Sequence, residues 1–286
     1  MFMRKNINIL TLLSMLLIGL PIYGARQALD RIIFKADTFP LIGLPLSKYP
    51  NKSQVSPDSM FKGEGYLNIG NYRRYLATWL IRDDKLYLLQ IANDCVGIVH
   101  ENQVEYADLR KLFPKEYANG KVLADWFSGL IYCAYGKATF WEDTDVSTFE
   151  REIELNIQNG ILIGEKILDN TRSRKVDYDK LYTSSFTRFN GFREHLDSLI
   201  NWEILPPIPN QGEARTTIRF SANEDGVIDD IKVIRGCGDI FDNEAIRIVK
   251  TLPVNVRFYH GKLVRYYYYL PIIFRESTRQ KMINKK

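Results

Sequence analysis

The stretch from Ala214 to Phe274 constrains the fold most, because three strands and a helix can be read there in a fixed order with their faces assigned. Between Ala214 and Ala222 the even positions Ala214, Thr216, Ile218, Phe220 and Ala222 share one face, while Arg215, Arg219 and Ser221 lie on the other. That is the period of a half-buried strand. The turn Asn223-Glu-Asp-Gly226 leads into Val227 to Arg235, which alternates in the opposite phase. A four-residue loop then sets Ile218 against Ile231 and Thr216 against Val233. Asp239 or Asp242 can cap a helix whose Ala245, Ile248, Val249 and Leu252 fall at i, i+3, i+4 and i+7, and Pro253 stops it. The last strand places Val264, Tyr266, Tyr268, Leu270, Ile272 and Phe274 on its inner face, leaving Tyr267 and Tyr269 outward. Two exposed rings with hydroxyls are chemistry that can be offered to a partner.

Upstream, Phe192, Leu196, Leu199 and Ile200 form a helical stripe. Residues 59–168 carry mostly strand signals. Tyr72–Ile81 and Leu86–Ile91 flank the turn Arg82-Asp-Asp-Lys85, a short helix covers Tyr106–Leu112, and strands follow at Val122–Tyr132, Ala138–Glu142 and Phe149–Ile157. In the last hairpin Phe149, Arg151, Ile153, Leu155 and Ile157 and the return positions Ile161, Ile163 and Ile167 are all odd. A three-residue loop Gln158-Asn159-Gly160 keeps these apolar sets on one face, setting Ile157 against Ile161 and Leu155 against Ile163. The fold class is therefore α+β, with an antiparallel β-meander domain, a curved sheet or small open barrel, ahead of two helices on a three-stranded antiparallel sheet. The expected organisation is a leader at 1–24, an irregular lead-in at 25–58, the β-rich domain at 59–168, a linker at 169–185, the second domain at 186–275 and a frayed basic tail at 276–286.

Few classes of chemistry are supported. The formal charge is +5, of which Arg4 and Lys5 in the leader supply two, too mild and dispersed for nucleic acid. The leader pairs that basic start with an apolar run from Ile7 to Ile22 and small residues at Gly24 and Ala25, the pattern of an export signal. At roughly 16 residues, with Pro21, the run is short of the ~20 needed to span a bilayer, so cleavage is favoured over retention as an inner-membrane anchor. Cys95, Cys133 and Cys237 form an odd set that fits no zinc motif; Cys95 and Cys133 could pair, and three free thiols are the favoured state. His100, His195 and His260 read as structural or solvated. Glu142, Asp143, Asp145, Ser147 and Glu154 approach a calcium-loop spacing, but Thr148 stands where that loop needs glycine. Asp125-Trp126 reads as a structural aspartate in an apolar strand rather than an acid of raised pKa. Neither a cofactor nor a metal is implied, and the chain is read as non-enzymatic.

The segments "RFSANEDGVIDDIKVIRGCG", "DNEAIRIVKTLP" and "GKLVRYYYYLPIIF", with the preceding "FREHLDSLINWEILPP", resemble the C-terminal domain of TonB in its Bacteroidetes-type form, over residues 186–275. Where that family usually has Tyr-Pro after the first helix, this chain has Leu205-Pro206-Pro207. The resemblance implies an envelope protein of a Gram-negative cell that binds a peptide segment of an outer-membrane TonB-dependent receptor by strand addition. The implied partner-binding residues are Arg265, Tyr266, Tyr267, Tyr268, Tyr269, Leu205 and Pro206. It also implies coupling to an ExbB/ExbD-type motor if the leader is an anchor. The Pro-rich spacer of such proteins is replaced here by the β-rich domain. A second reading stays open: a periplasmic ligand-binding protein or enzyme whose TonB-like domain only docks or forms a homodimer, motivated by Trp79, Trp126 and Trp141.

Overall fold

The computed structural model describes residues 28–62, 71–94, 104–140, 148–177, 188–208 and 212–284. The leader, Cys95, His100, Trp141 and the acidic loop through Ser147 lie outside the described residues. The chain is α+β, a strand-rich N-terminal unit followed by a three-stranded antiparallel sheet with helices.

The N-terminal unit contains β1 (Asp30–Phe34), β2 (Asp37–Ile42), β3 (Tyr75–Arg82), β4 (Lys85–Asn93), β5 (Tyr117–Ala118), β6 (Lys121–Leu123), β7 (Gly129–Phe140), β8 (Thr148–Gln158) and β9 (Ile161–Asp169), with short helices α1 (Pro57–Met60) and α2 (Leu109–Leu112). Its nine strands run in the order β3-β1-β2-β7-β8-β9-β4-β6-β5. The additional β3–β4 pairing closes the ring β3-β1-β2-β7-β8-β9-β4 on itself. Inside lie Ile32, Leu41, Trp79, Leu86, Leu88, Ile131 and Leu155, all fully buried, so side chains fill the barrel.

Several expected boundaries are corrected. Residues 30–42, expected within an irregular lead-in, form the hairpin β1–β2, spliced between β3 and β7. What holds it is the buried Asp30, whose carboxylate accepts from Arg73 Nη1 at 2.9 Å, Ala77 N–H at 3.1 Å and Trp79 Nε1 at 3.1 Å. These bonds fix β1 parallel to β3, a long-range contact that no local pattern announces. The strand expected over Val122–Tyr132 is broken by a turn in which Asp125 is exposed and Trp126 donates to the Pro45 carbonyl at 3.2 Å. Ala138–Phe140 instead continues β7, and the helix expected from Tyr106 shortens to α2, capped by Asp108 onto Lys111 N–H.

The β8–β9 connection is a two-residue turn, not the three-residue loop. Gln158 faces Ile161, and Asn159 (φ 49°) and Gly160 (φ 75°) are both left-handed. That turn matches strand twist better than a longer loop, and a bulge between Asn156 and Ile157 absorbs the parity conflict. Leu155 consequently faces Glu165, while Ile163 and Ile167 are exposed. A similar correction applies to the C-terminal hairpin.

The C-terminal unit contains α3 (Arg188–Leu199), β10 (Glu213–Ala222), β11 (Ile228–Arg235), α4 (Asp239–Val249), β12 (Arg257–Tyr259), β13 (Lys262–Val264), β14 (Tyr268–Arg275) and α5 (Glu276–Ile283). Its sheet runs β11-β10-β14. Ile218 faces Val233 rather than Ile231, because the turn sets Ala222 against Ile228 and a bulge beside the left-handed Asp230 shifts the register by one more residue. α4 begins after Gly238 with no side-chain cap; Asp242 turns back to accept from Cys237 N–H at 3.0 Å and Thr216 Oγ1 at 2.6 Å. Ile218, Phe220, Ala245, Ile248, Val249, Ile272 and Phe274 form its core with Leu196 of α3 and Ile200 just after it. The expected basic tail is the helix α5.

The hairpin β12–β13 leaves this sheet and seats on the N-terminal unit. At its turn, His260 (φ 51°) stacks on Tyr132 with ring centroids 3.6 Å apart and pairs through Nδ1 with Glu152 Oε2 at 2.5 Å. Glu152 is fully buried and its Oε1 has no partner. Gly261 N–H donates to Asn170 at 2.8 Å, Arg257 Nε to Thr148 at 2.8 Å, and Arg174 and Val256 exchange two main-chain bonds. Residues 170–176, expected as part of a linker, are thus pinned. Removing one member of a buried pair strands the other, so His260→Ala is expected to destabilise the protein by roughly 3 kcal/mol in urea unfolding. The double variant with Glu152→Leu is expected to recover most of that loss.

Candidate functional site

β14 is the outer strand of its sheet, paired with β10 from Glu213↔Arg275 to Phe220↔Tyr268 and with no strand on its far side among the described residues. The alternation that the sequence displays decides which way each group points. Leu270, Ile272 and Phe274 turn to the core, and Tyr269, Pro271 and Ile273 turn to the other face. Pro271 faces Thr217 in register. A proline fits an edge strand when its missing N–H points away from the partner strand. That parity turns the main-chain groups of Tyr269, Pro271, Ile273 and Arg275 to the open side and leaves the even-numbered residues to bond β10.

Beside this edge runs an apolar groove of about 140 Å³ between α3 and β14, lined by Phe192 and Leu196 from the helix, Ile200 just after it, and Leu270 and Ile272 from the strand, with Arg193 and Asp197 on its rim. Burial raises the Asp197 carboxyl above the ordinary carboxylate value, with Arg193 opposing that shift. Groove and edge together can receive an extended chain: main-chain groups for a ladder, and an apolar slot for side chains at alternate positions. Neither feature suits bond-breaking chemistry, and no cluster of metal-ligating side chains occurs among the described residues.

The residues singled out from sequence separate into three groups. Tyr268 and Tyr269 belong to β14; Tyr268 stacks on Phe220 at 5.3 Å and Tyr269 is 64% exposed. Arg265, Tyr266 and Tyr267 precede the strand, contrary to the expectation of one continuous strand from Val264. There Arg265 makes a double ion pair with Asp229 at 2.8 Å, which holds that carboxyl below its usual range. Tyr266, expected inside, is exposed and accepts a bond from Arg257 Nη1 at 2.7 Å, while Tyr267 lies under the Arg219 guanidinium at 4.8 Å. Leu205 and Pro206 form the third group. Leu205 is buried in the core and Pro206 is exposed on the segment leading to β10. The groove-lining Phe192, Leu196 and Ile200 and the outward main chain of Pro271 and Ile273 were missed. A proline inside an otherwise regular strand was the signal that could have found the latter.

Residues 205–208 are tied to α5. Glu276 accepts from Ile208 N–H at 2.9 Å and pairs with Arg279 at 3.2 Å, while Arg279 Nε reaches the Leu205 carbonyl at 3.1 Å. Elsewhere, burial pushes the free Cys133 thiol up to about 12, and Cys237 is a second free thiol.

A small sheet with helices on one face, an open edge strand and an adjoining apolar groove defines a protein-interaction module. Residues 210–275 match the family of the Gram-negative bacterial TonB protein C-terminal, a non-enzymatic interaction domain of the Gram-negative envelope. No curated protein and no solved structure matches the chain. No helix among the described residues is long and apolar enough to cross a membrane.

Two outcomes follow from this geometry. Leu205→Ala is expected to cost about 2–4 kcal/mol of stability in denaturant unfolding, the cost of a core cavity. The Glu276 carboxyl is held below its ordinary 4.5, chiefly by the Ile208 N–H. A depressed folded value means that its stabilisation is complete above pH 4.5 and lost as pH falls through the folded value. In hydrogen exchange the Ile208 amide should therefore loosen on acidification, and Glu276→Gln should abolish that pH dependence.

Proposed function

We propose that the C-terminal unit receives an extended peptide segment of an outer-membrane transporter along β14. The observation that carries this reading is the outer side of that strand, which pairs with no strand among the described residues, beside the α3 groove. Backbone bonds to Tyr269, Ile273 and Arg275 supply affinity, and side chains of alternate guest residues enter the groove or lie over Tyr269. Residues 28–170 act as a scaffold unit, a role supported by the side chains that fill the barrel. The leader-like residues 1–24 support a periplasmic location. If that segment stays in the inner membrane instead, the same binding would couple to an ExbB/ExbD-type motor.

The test uses immobilised full-length protein and synthetic peptides from transporter plug segments. Ile273→Pro deletes an outward donor while leaving the β10 ladder intact by parity. Peptide retention should fall at least about fivefold, the worth of one ladder bond, with the circular dichroism spectrum unchanged. Equal retention by both proteins rejects strand addition at this edge.

A further inference from the structure

Resting on that reading, we propose that Pro271 guards the β14 edge against a second copy of this chain while leaving it open to a foreign extended segment. An open edge strand is a template for any other edge, and an identical one is always the nearest partner at high concentration. β14 offers that hazard in full: eight residues, Tyr268–Arg275, with Leu270, Ile272, Ile273 and Phe274 as strand-forming side chains. Its only interruption is Pro271, in the middle of the outward row.

The argument is one of symmetry. Two copies of β14 joined as a continuous antiparallel sheet are related by a two-fold axis, so every defect on one strand recurs on the other. In every register that sets Pro271 opposite a residue of the mate's β14, the outward residues of one copy face the outward residues of the other, and each Pro271 fails to donate once. The pair loses two ladder bonds. A foreign strand that carries no proline there loses one. At about fivefold per net bond, the copy pair is weakened roughly 25-fold and the guest about fivefold relative to an uninterrupted edge.

The geometry also shows why the gap need not repel a guest. Tyr269, Ile273 and Arg275 keep their outward N–H groups, and all four outward carbonyls, that of Pro271 included, remain as acceptors. The apolar groove under α3 adds a contact for an aliphatic guest side chain, independent of the ladder.

Sedimentation of the full-length protein over a concentration series tests this. Pro271→Ala restores the missing donor and should self-associate at concentrations at least tenfold below those of the parent. The double variant Pro271→Ala with Ile273→Pro removes a neighbouring donor again and should return to the parent's behaviour. If Pro271→Ala has the parent's association state, or if the double variant associates as strongly as the single one, the proposal is overturned. Transporter-plug peptide is the second arm. Pro271→Ala should hold it several-fold more tightly than the parent, and equal or weaker binding overturns the claim that the proline costs a guest one bond. Failure of the parent to hold any peptide instead defeats the guest reading, while the sedimentation result still decides whether the edge is guarded.

Discussion

The architecture of the C-terminal unit depends on β10, the central strand of a three-stranded sheet. It pairs with β11 on one side and with β14 along eight residues on the other. Its inner residues Ile218 and Phe220 anchor both α4 and the core face of β14. β10 pairs with both neighbours from Thr217 to Arg219, so β11 and β14 are the two edges of this sheet among the described residues, and a bulge beside Asp230 interrupts the β11 side. The regular edge is β14. Ile272 and Phe274 are buried and β14 pairs with β10 along eight residues, which holds its outward groups in one row.

The N-terminal barrel meets this unit through a polar contact instead of an extension of either core. Glu152, Thr148 and Asn170 present buried polar atoms on β8 and just after β9, and the β12–β13 hairpin supplies His260, Arg257 and the Gly261 amide to meet them. Such groups cost free energy when buried singly, so the seat is specific: a shifted hairpin leaves several of them unpaired. The left-handed His260 and Gly261 place the ring between Tyr132 and Tyr259, at 3.6 and 3.7 Å.

What could be read from sequence followed what is local. Alternation from Ala214 to Ala222 and the α3 stripe have periods that survive into the structure, because one face of each packs on the same core. Register was less legible. At Asn159-Gly160 the turn chemistry and the odd–odd apolar pattern conflict; the two-residue turn wins, a bulge that no alternation rule displays restores odd–odd pairing beyond it, and Ile161, Ile163 and Ile167 stay exposed. The hairpin β1–β2 was hidden because its place depends on Asp30 meeting Arg73 and Trp79, more than forty residues away. The tyrosine run misled for a related reason: Tyr266 and Tyr267 continue the period of β14, yet their partners Arg257 and Arg219 draw them off the ladder. At the candidate site, side chains drew attention to Tyr266–Tyr269, whereas the proposed contact runs through main-chain atoms whose direction Pro271 marks in the sequence.

These contacts link the two units to the edge itself. Arg257 is buried in the seat on the barrel through Thr148, and its other arm holds the Tyr266 hydroxyl two residues before β14 begins. Arg265, next in line, is clamped to Asp229 of β11 and to Ser221 of β10. The chain therefore enters β14 held on both sides, by one tether on the barrel and one on its own sheet. Freeing the hairpin from Glu152 would loosen the first tether and leave the second intact. The start of the edge, at Tyr268 and Tyr269, is consequently the part nearest the barrel's tether, while the Pro271–Arg275 half is held by the β10 ladder and by the core that Ile272 and Phe274 share with α3 and α4.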